Sequence, residues 1–562
     1  MRRRQFVLRS LGAGLGLGTA LVVGWGLLPP RQRLSTREPL PSRPGEHVFH
    51  GWLAITDDGR VRVVMPKSEM GQGAQTGLAM VLADELDADW ASVEVAAAPI
   101  DAIYNNLSTV VDGLPFHPDE HGPLQRTAAW LTAKTMREIG VMATGGSSSV
   151  KDLWLPMRQA GATARAMLVG AAAEAWGVPA AEVQAAQGVL RHASGRSASF
   201  AAMAAAAARL PLISDAPLKS AAQFNLIGHP LPRLEAGSKV DGSAVFGLDV
   251  RLPGMLYASV QMCPVLGGKV ASFDSAPLLQ RPGIQQVFAV AGHNGGTAGV
   301  AVLASSAWQA LKGARDLAVT WDTAVPAAAF SSAAALDALS KTLDTDQGFG
   351  FYSRGDVDAA LQSATKTISA EYRAPYLAHS TLEPQNCSVH LQHGRATVWA
   401  PTQVPGLARK AAAQALGIAE SLVTVHVTLL GGGFGRRLDV DFIGQAAAIA
   451  RAAAAQQPGV PIQTFWSREE DMRHDFYRPA AVSRLRAGLD ASGRLTAWHN
   501  VSAGQAIVPQ IMARSFGLPA GLAALAPDKT ASEGAFDQAY EWPNARIAHA
   551  AVDLPVPVGF WR

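Results

Sequence analysis

Leu429-Leu430-Gly431-Gly432-Gly433-Phe434-Gly435-Arg436-Arg437 joins two runs of opposite character. Before it, Val423-Thr424-Val425-His426-Val427-Thr428 is β-branched and predicts a buried strand. After it, Phe442 to Ala455 is alanine-rich and predicts a helix. Four glycines in the five residues from 431 to 435 cost backbone entropy, so bare backbone is needed there. One such need is close approach of a ligand, with successive amides aimed at an anionic oxygen. Arg436 and Arg437 would then add permanent positive charge beside those amides. A tight turn between strand and helix accounts for the same residues. The stretch is not a P-loop, lacking Gly-Lys-Ser/Thr, and the third glycine of G-x-G-x-x-G is missing.

The chain has 562 residues, enough for several domains, each with its own core. With 48% hydrophobic and 17% charged residues it is globular. A formal net charge of +3 gives no footprint for nucleic acid. The two cysteines, Cys263 and Cys387, form no C-x-x-C. This chain alone therefore cannot hold an iron–sulfur cluster or a four-cysteine zinc. Both read as buried structural thiols, with a pairing between them left open.

Arg2-Arg3-Arg4-Gln5-Phe6-Val7-Leu8 opens the chain with a twin-arginine pattern, and an apolar run follows from Leu11 to Leu28. Residues 1–28 read as an export signal. That run is just long enough to cross a bilayer, and no clear small-x-small site precedes Pro29-Pro30. The expectation is a periplasmic protein, with the run serving as an inner-membrane anchor if it is not cleaved. Residues 29–45 read as a proline- and arginine-rich linker.

Residues 46–210 form the next segment. His50 to Pro66 alternates around Asp57-Asp58-Gly59 and predicts a β-hairpin. Gly71 and Gly73 then bracket Gln72 before a helix from Gly77 to Leu86, a place where anions bind well. A plain helix cap explains the same spacing. Gly145, Gly146 and Ser147, in Thr144-Gly145-Gly146-Ser147-Ser148-Ser149, suit phosphate hydrogen bonds ahead of a helix at Leu155 to Trp176, or simply a capped loop. Residues 211–235 are a proline-marked linker. Residues 236–345 carry strand runs at 255–262, 286–289 and 300–304, a helix at 306–313 and a strand at 317–321. Residues 346–562 hold the glycine loop. His379 and Glu383 lie four apart, but Pro384 and the lack of a third ligand favour a structural pair over a metal site. Ser467 and Glu470 predict a capping box.

Gly-Gly-Gly-Phe-Gly after a strand resembles the cofactor loop of the xanthine oxidase/aldehyde oxidase family of molybdenum hydroxylases. Glu69-Met70-Gly71-Gln72-Gly73 resembles a second loop of that family, placed first in the chain as in its isoquinoline-oxidoreductase branch. The serine-rich loop at 144–149 is similar to one that helps hold the pterin. Trp399-Ala400-Pro401-Thr402-Gln403 resembles Trp-x-x-Thr-Gln, whose glutamine reaches a molybdenum oxo ligand; that carries over to Gln403. Val245 to Tyr257 resembles the opening of the family's small α/β hammerhead domain. Pro557-Val558-Gly559-Phe560-Trp561-Arg562 resembles the start of an arginine-bearing cofactor segment cut short, which puts Arg562 against the cofactor.

The resemblance implies an α+β multidomain chain: molybdenum-cofactor-binding domains at 46–210 and 346–562, and a hammerhead domain at 236–345. It implies molybdopterin cytosine dinucleotide held by Gly71, Gln72, Gly73, Gly145, Gly146, Ser147, Gln403, Gly432, Gly433, Phe434, Gly435, Arg436 and Arg562, with no protein ligand to the metal. It also implies oxidation of an aldehyde or an N-heterocycle with water-derived oxygen. Electrons would leave through a separate small two-cluster iron–sulfur subunit to an acceptor such as a cytochrome. Two departures stand out. Leu438 replaces the family's substrate-side acid, which argues against purines, and the catalytic glutamate would lie beyond Arg562. A second reading remains: a non-catalytic exported protein that keeps the fold without molybdenum.

Overall fold

The computed structural model describes residues 32–519 and 527–561. β1 (Glu46–His50), β2 (Leu53–Thr56), β3 (Val61–Met65) and β4 (Val93–Ala97) make a four-stranded sheet in that order. β2 and β3 are the expected hairpin, with Gly59 at φ 86°. α1 (Ala74–Leu86) buries Leu78, Ala79, Leu82 and Leu86, its apolar spacing matching one helical face. It ends at Asp87, whose N–H bonds the Ala83 and Asp84 carbonyls. α2 (Pro123–Ile139) precedes the long α3 (Ser149–Trp176), which packs on α1. The two backbones meet at Gly161, where a Cβ would stand 2.4 Å from the Leu82 carbonyl oxygen. Pro156 lies inside α3 and removes the N–H that would bond the Asp152 carbonyl. Arg33 Nη1 donates to that carbonyl at 3.4 Å. β5 (Val183–Ala186), β6 (Val189–His192) and β7 (Ser197–Ser199) form a small sheet, and α4 (Phe200–Ala207) closes this core.

The second core is built on one seven-stranded sheet. Its strands are β8 (Leu256–Met262), β10 (Ile284–Val290), β11 (Gly299–Ala304), β15 (Asn386–Gln392), β16 (Arg395–Ala400), β17 (Val423–Val427) and β18 (Ile462–Phe465). The order is β10-β11-β8-β18-β15-β16-β17. All six residues of β11, Gly-Val-Ala-Val-Leu-Ala, are buried, as a continuous apolar run demands. α7 (Pro405–Leu416) and α8 (Asp441–Ala453) pack against the sheet through alanines, leucines and isoleucines. α5 (Ala307–Asp316) packs against β8 and β11. β9 (Lys269–Phe273) and β12 (Val319–Asp322) pair separately.

A five-stranded sheet of order β13-β21-β20-β19-β14 makes the third body. It comprises β13 (Phe349–Arg354), β14 (Lys366–Ala374), β19 (Ala481–Leu489), β20 (Leu495–Gly504) and β21 (Ala545–Ala551), with α6 (Ser332–Thr345) on one face. α9 (Arg468–Arg473) lies between β18 and β19 in sequence, and α10 (Val508–Phe516) between β20 and β21.

Several expectations change. No helix among the described residues is long and apolar enough to cross a membrane, so the expected inner-membrane anchor is not supported, and the periplasmic location expected from the export signal is not shown. The apolar run at 11–28 itself lies outside the described residues, as does Arg562. The 29–45 stretch is not a loose linker where it is described: Leu34 is 4% exposed and Arg33 pairs with buried Asp152. No break in the sheet marks 345/346, because β8 and β18 pair in parallel across it. α1 and α3 begin at Ala74 and Ser149, earlier than their apolar patterns predicted. The capping box is one-sided. Glu470 N–H donates to Ser467 Oγ at 3.2 Å, but the Glu470 carboxylate accepts from Met262 N at 3.1 Å. Cys263 and Cys387 are both free and buried.

Gly161→Ala forces a methyl into the α1 backbone and should destabilise the chain by about 1–3 kcal/mol. Gly170→Ala, on the same helix with only Leu210 Cδ1 at 3.4 Å, should be neutral or stabilising. Thermal and urea unfolding of the two variants side by side reads the difference.

Candidate functional site

Four loops meet between the first and second cores. Ser68 N–H donates to Thr144 Oγ1 at 2.9 Å, and Ser68 Oγ donates to the Thr402 carbonyl at 2.8 Å. Thr144 N–H donates to the Gln403 carbonyl at 2.9 Å, and Gln403 Nε2 returns a bond to the Thr144 carbonyl at 2.6 Å. Leu430 N–H donates to the Glu69 carbonyl at 3.0 Å, and Gln403 N–H to the Arg437 carbonyl at 2.9 Å. Residues 68–73, 144–148, 402–403 and 430–438 are thus laced together. A Cβ on Gly433 would stand 2.5 Å from Met70 Sδ and 2.9 Å from Gln403 Oε1. A Cβ on Gly145 would stand 3.2 Å from Leu438 Cδ1. A side chain at Gly433 would displace Met70 and Gln403, and one at Gly145 would press lightly on Leu438.

The glycine-loop amides divide sharply. Among the described residues, the N–H groups of Gly432, Gly433, Phe434 and Gly435 make no hydrogen bond, although Gly433 and Gly435 are buried. Gly432 and Gly435 sit at φ 100° and 105°, and Phe434 is held at φ 52° with its ring exposed. A non-glycine residue held in the left-handed region stores strain, a mark that gathers at functional sites. Gln403 Oε1 is also buried without a partner. The Gly145, Gly146 and Ser147 amides are likewise unbonded among the described residues, with Gly146 and Ser147 at φ 60° and 52°.

Gly71 and Gly73 behave differently. Their N–H groups both donate to Glu69 Oε1 at 2.9 Å, and Gln75 N–H donates to Glu69 Oε2 at 3.1 Å. Gln72 is turned inward: its Oε1 accepts from Met70 N and its Nε2 donates to the Ser68 carbonyl. The anion expected at this helix start is therefore the chain's own carboxylate.

Neither arginine of the glycine loop is free. Arg436 is buried and forms a two-pronged pair with Asp441, at 2.9 and 2.8 Å. Its Nε lies 2.9 Å from Asp475 Oδ1. Burial works to lower its pKa, but the Asp441 and Asp475 carboxylates outweigh burial and raise it. Arg437 bonds the Glu383 carbonyl and carboxylate and the Gly432 carbonyl. Burial pushes it down to about 10, with Glu383 offsetting part of that. The arginines thus hold the loop's shape instead of offering charge to a ligand.

His379 and Glu383 are structural and apart in use. His379 Nδ1 lies 3.0 Å from the Asp475 carboxylate, and Nε2 bonds the Phe560 carbonyl at 2.7 Å. The Trp561 ring lies against the imidazole at 4.9 Å. Glu383 accepts from Gly431 N at 2.9 Å and from Leu248 N at 3.1 Å. Phe560 and Trp561, at the C-terminal segment, are thereby tied to the glycine loop through Asp475 and Arg436.

Sequence reasoning missed Glu69, Asp441, Asp475 and Lys67 as parts of the site. For Asp441 the available signal was its place in the first turn of an apolar helix; Glu69, Asp475 and Lys67 carried no comparable local signal. Lys67 is buried, 3.1 Å from the Ala143 carbonyl and 3.4 Å from Asp152.

Two family models, each described as a molybdopterin cofactor-binding domain, match residues 12–110 and 343–553. The chain belongs to the xanthine oxidase family. It is 31% identical over 509 residues to the membrane-bound aldehyde dehydrogenase [pyrroloquinoline-quinone] of Gluconacetobacter polyoxogenes, covering 88% of this chain and 59% of that protein. It is 31% identical over 502 residues to isoquinoline 1-oxidoreductase subunit beta of Brevundimonas diminuta, covering 80% and 58%. Among solved structures, the aldehyde oxidoreductase from Desulfovibrio gigas aligns with a TM-score of 0.46 and 15% identity, over 87% of this chain and 49% of that one. The chain thus spans less than two thirds of the length of these relatives. The architecture is α+β and multidomain, and the two relatives are named as an aldehyde dehydrogenase and an isoquinoline oxidoreductase.

Two outcomes follow from the buried charges. Asp441→Asn leaves Arg436 short of a carboxylate and should cost about 3–5 kcal/mol of stability, read by urea unfolding. Burial pushes Lys67 down to about 8 from an ordinary 10.5, with Asp152 offsetting part. Between those values the unfolded chain keeps a proton that the folded chain has lost, so stability rises with pH across that window. The cost of burying the charge is full below pH 8, at roughly 3 kcal/mol. Lys67→Met should flatten the pH–stability curve between pH 8 and 10.5 relative to the parent.

Proposed function

We propose that this chain is the molybdopterin-binding large subunit of a molybdenum hydroxylase that oxidises an aldehyde or an N-heterocyclic aromatic with oxygen from water. One observation carries the reading. The four unbonded amides from Gly432 to Gly435 adjoin a buried, unpartnered Gln403 Oε1, where a Cβ on Gly433 would displace the Met70 and Gln403 side chains. A row of four free donors, two of them on the buried residues Gly433 and Gly435, beside an orphaned acceptor fits a polar group with both oxygens and N–H groups, as a pterin dithiolene cofactor has. When bound, that cofactor supplies the metal that activates water and takes up the substrate's electrons.

The chain's own residues bind and position. Gly432 to Gly435 donate backbone N–H groups, and Gly145, Gly146 and Ser147 offer a second set from the opposite loop. Gly71, Gln72 and Gly73 shape the wall behind Met70, and Phe434 presents an exposed ring. Arg436 orders the loop from below, and Arg562 follows directly on Trp561. Leu438 sets an apolar side chain against Gly145 where the family's purine-binding members carry an acid. That favours an aldehyde or a heteroaromatic ring over a purine. The expected cofactor form is molybdopterin cytosine dinucleotide. Electrons pass to a separate two-cluster iron–sulfur subunit and on to an acceptor such as a cytochrome, because two buried free cysteines cannot hold a cluster here.

Gly435→Val puts a branched side chain at φ 105° in the buried loop and should abolish retained molybdenum with the fold preserved. Arg196→Ala, in an exposed turn, should keep it. Metal analysis, pterin fluorescence after oxidation, released nucleotide and circular dichroism are measured on the same samples. If Gly435→Val holds as much molybdenum and pterin as the parent, or the parent holds pyrroloquinoline quinone and no molybdenum, the reading is wrong.

A further inference from the structure

We propose that Glu69 is the positioning residue of the site: its carboxylate permanently fills the amide nest at the start of α1. The Gly-Gln-Gly loop then meets the cofactor by shape, and anion capture is left to Gly432–Gly435 and the 145–147 loop. The Glu69 side chain is buried, and its residue is 1% exposed. It collects three N–H donors, from Gly71, Gly73 and Gln75, at 2.9, 2.9 and 3.1 Å. Three donors to one buried carboxylate take the Gly71, Gly73 and Gln75 amides away from any phosphate at this turn and leave the Gln72 and Ala74 amides open there. The left-handed glycines, at φ 105° for Gly71 and 77° for Gly73, are what bend both amides onto the same oxygen.

The same residue reaches the other glycine loop. The Glu69 carbonyl accepts from Leu430 N at 3.0 Å, one residue before the glycine run. Arg233 Nη2 donates to the Gly71 carbonyl at 2.7 Å, from outside the turn. Met70, held between Glu69 and Gly71, is thereby pressed to where a Gly433 Cβ would stand. Glu69 therefore sets the distance between the two loops as well as the shape of its own. Glu383 does a smaller version of the same thing, accepting from Gly431 N and leaving the next four amides open. Each glycine loop carries its own glutamate, and the second keeps the longer unbroken run of free donors, Gly432 to Gly435.

The first part of this inference stands apart from the molybdopterin reading, and only its consequence for cofactor retention rests on it. Hydrogen exchange is measured on protein from cells unable to make the pterin cofactor, on loaded protein, and on cofactor-free protein with inorganic phosphate. The Gly71, Gly73 and Gln75 amides should exchange slowly in all three. Glu69→Ala and Glu69→Gln should speed their exchange about ten-fold or more, and should lower the molybdenum retained after desalting. Glu420→Gln, on the far side of α7, should do neither. The inference is overturned if those amides exchange freely in the cofactor-free parent and slow only on loading or with phosphate. It is also overturned if Glu69→Ala leaves exchange unchanged. A parent that holds no molybdenum would sink the proposed function, while the exchange rates would still decide what Glu69 does.

Discussion

The pairing of Arg436 with Asp441 and Asp475 is the constraint on which the site depends. Three charges sit in the interior, each 3% exposed or less. A buried pair adds little net stability, because desolvation consumes most of the attraction. Its effect is on geometry: moving any one of the three leaves a bare charge in a low dielectric, so their relative positions are held tightly. Asp441 fixes the start of α8, Asp475 fixes His379 and through it the Phe560 carbonyl, and Arg436 fixes the end of the glycine loop. Trp466 and Phe476 flank the guanidinium at 5.5 and 5.2 Å, which keeps water off the network. Three stretches far apart in sequence therefore move as one body.

That rigidity explains why the glycine loop can leave four amides unbonded. An unpaired buried N–H costs free energy, and a mobile loop would rearrange to satisfy it. Here Arg437 holds the Gly432 carbonyl from below, Glu383 holds Gly431 N, and Leu430 N is bound to Glu69. The loop has no freedom left with which to close on itself. Phe434 at φ 52° is the residue where the remaining strain shows.

Local patterns in the sequence were legible, and long-range partners were not. β17, the glycine loop and α8 lie where a β-branched run, a glycine cluster and an alanine-rich run place them, but β17 is an edge strand with Thr424 and His426 exposed instead of the buried strand expected. The hairpin at Asp57-Asp58-Gly59 follows from its turn residues. Arg436 illustrates what a single stretch conceals: a positive charge beside glycines reads as an anion contact until Asp441 and Asp475 are seen to neutralise it. Nothing in residues 67–76 announces that Glu69 folds back onto the next amides, because a helix start with an acid before it also suits an external anion. The seven-stranded sheet crosses the expected boundary at 345/346 because β8 and β18 are about two hundred residues apart, and a parallel pair carries no hairpin signal. Arg33 looked like part of a charged linker until Pro156 and Asp152 supplied it with a carbonyl and a carboxylate.

Gln403 shows how the architecture limits the chemistry. Its Nε2 is committed to the Thr144 carbonyl at 2.6 Å, so the atom left without a partner is Oε1, an acceptor. A bound group with an N–H at that place is satisfied by the side chain as it stands. A bound oxo oxygen is itself an acceptor, and Gln403 can serve it only by turning Nε2 away from Thr144. The backbone bond from Thr144 N–H to the Gln403 carbonyl, and the one from Ser68 N–H to Thr144 Oγ1, hold the two loops in register through such a turn. The Thr144 carbonyl would then lose a donor in a buried setting, a cost comparable to the bond gained. Contact with an oxo ligand through Gln403 is therefore close to neutral in hydrogen bonds. On the proposed reading, the free energy that holds a cofactor would come from the amides of Gly432 to Gly435 and of Gly145 to Ser147, which have no protein partner to give up.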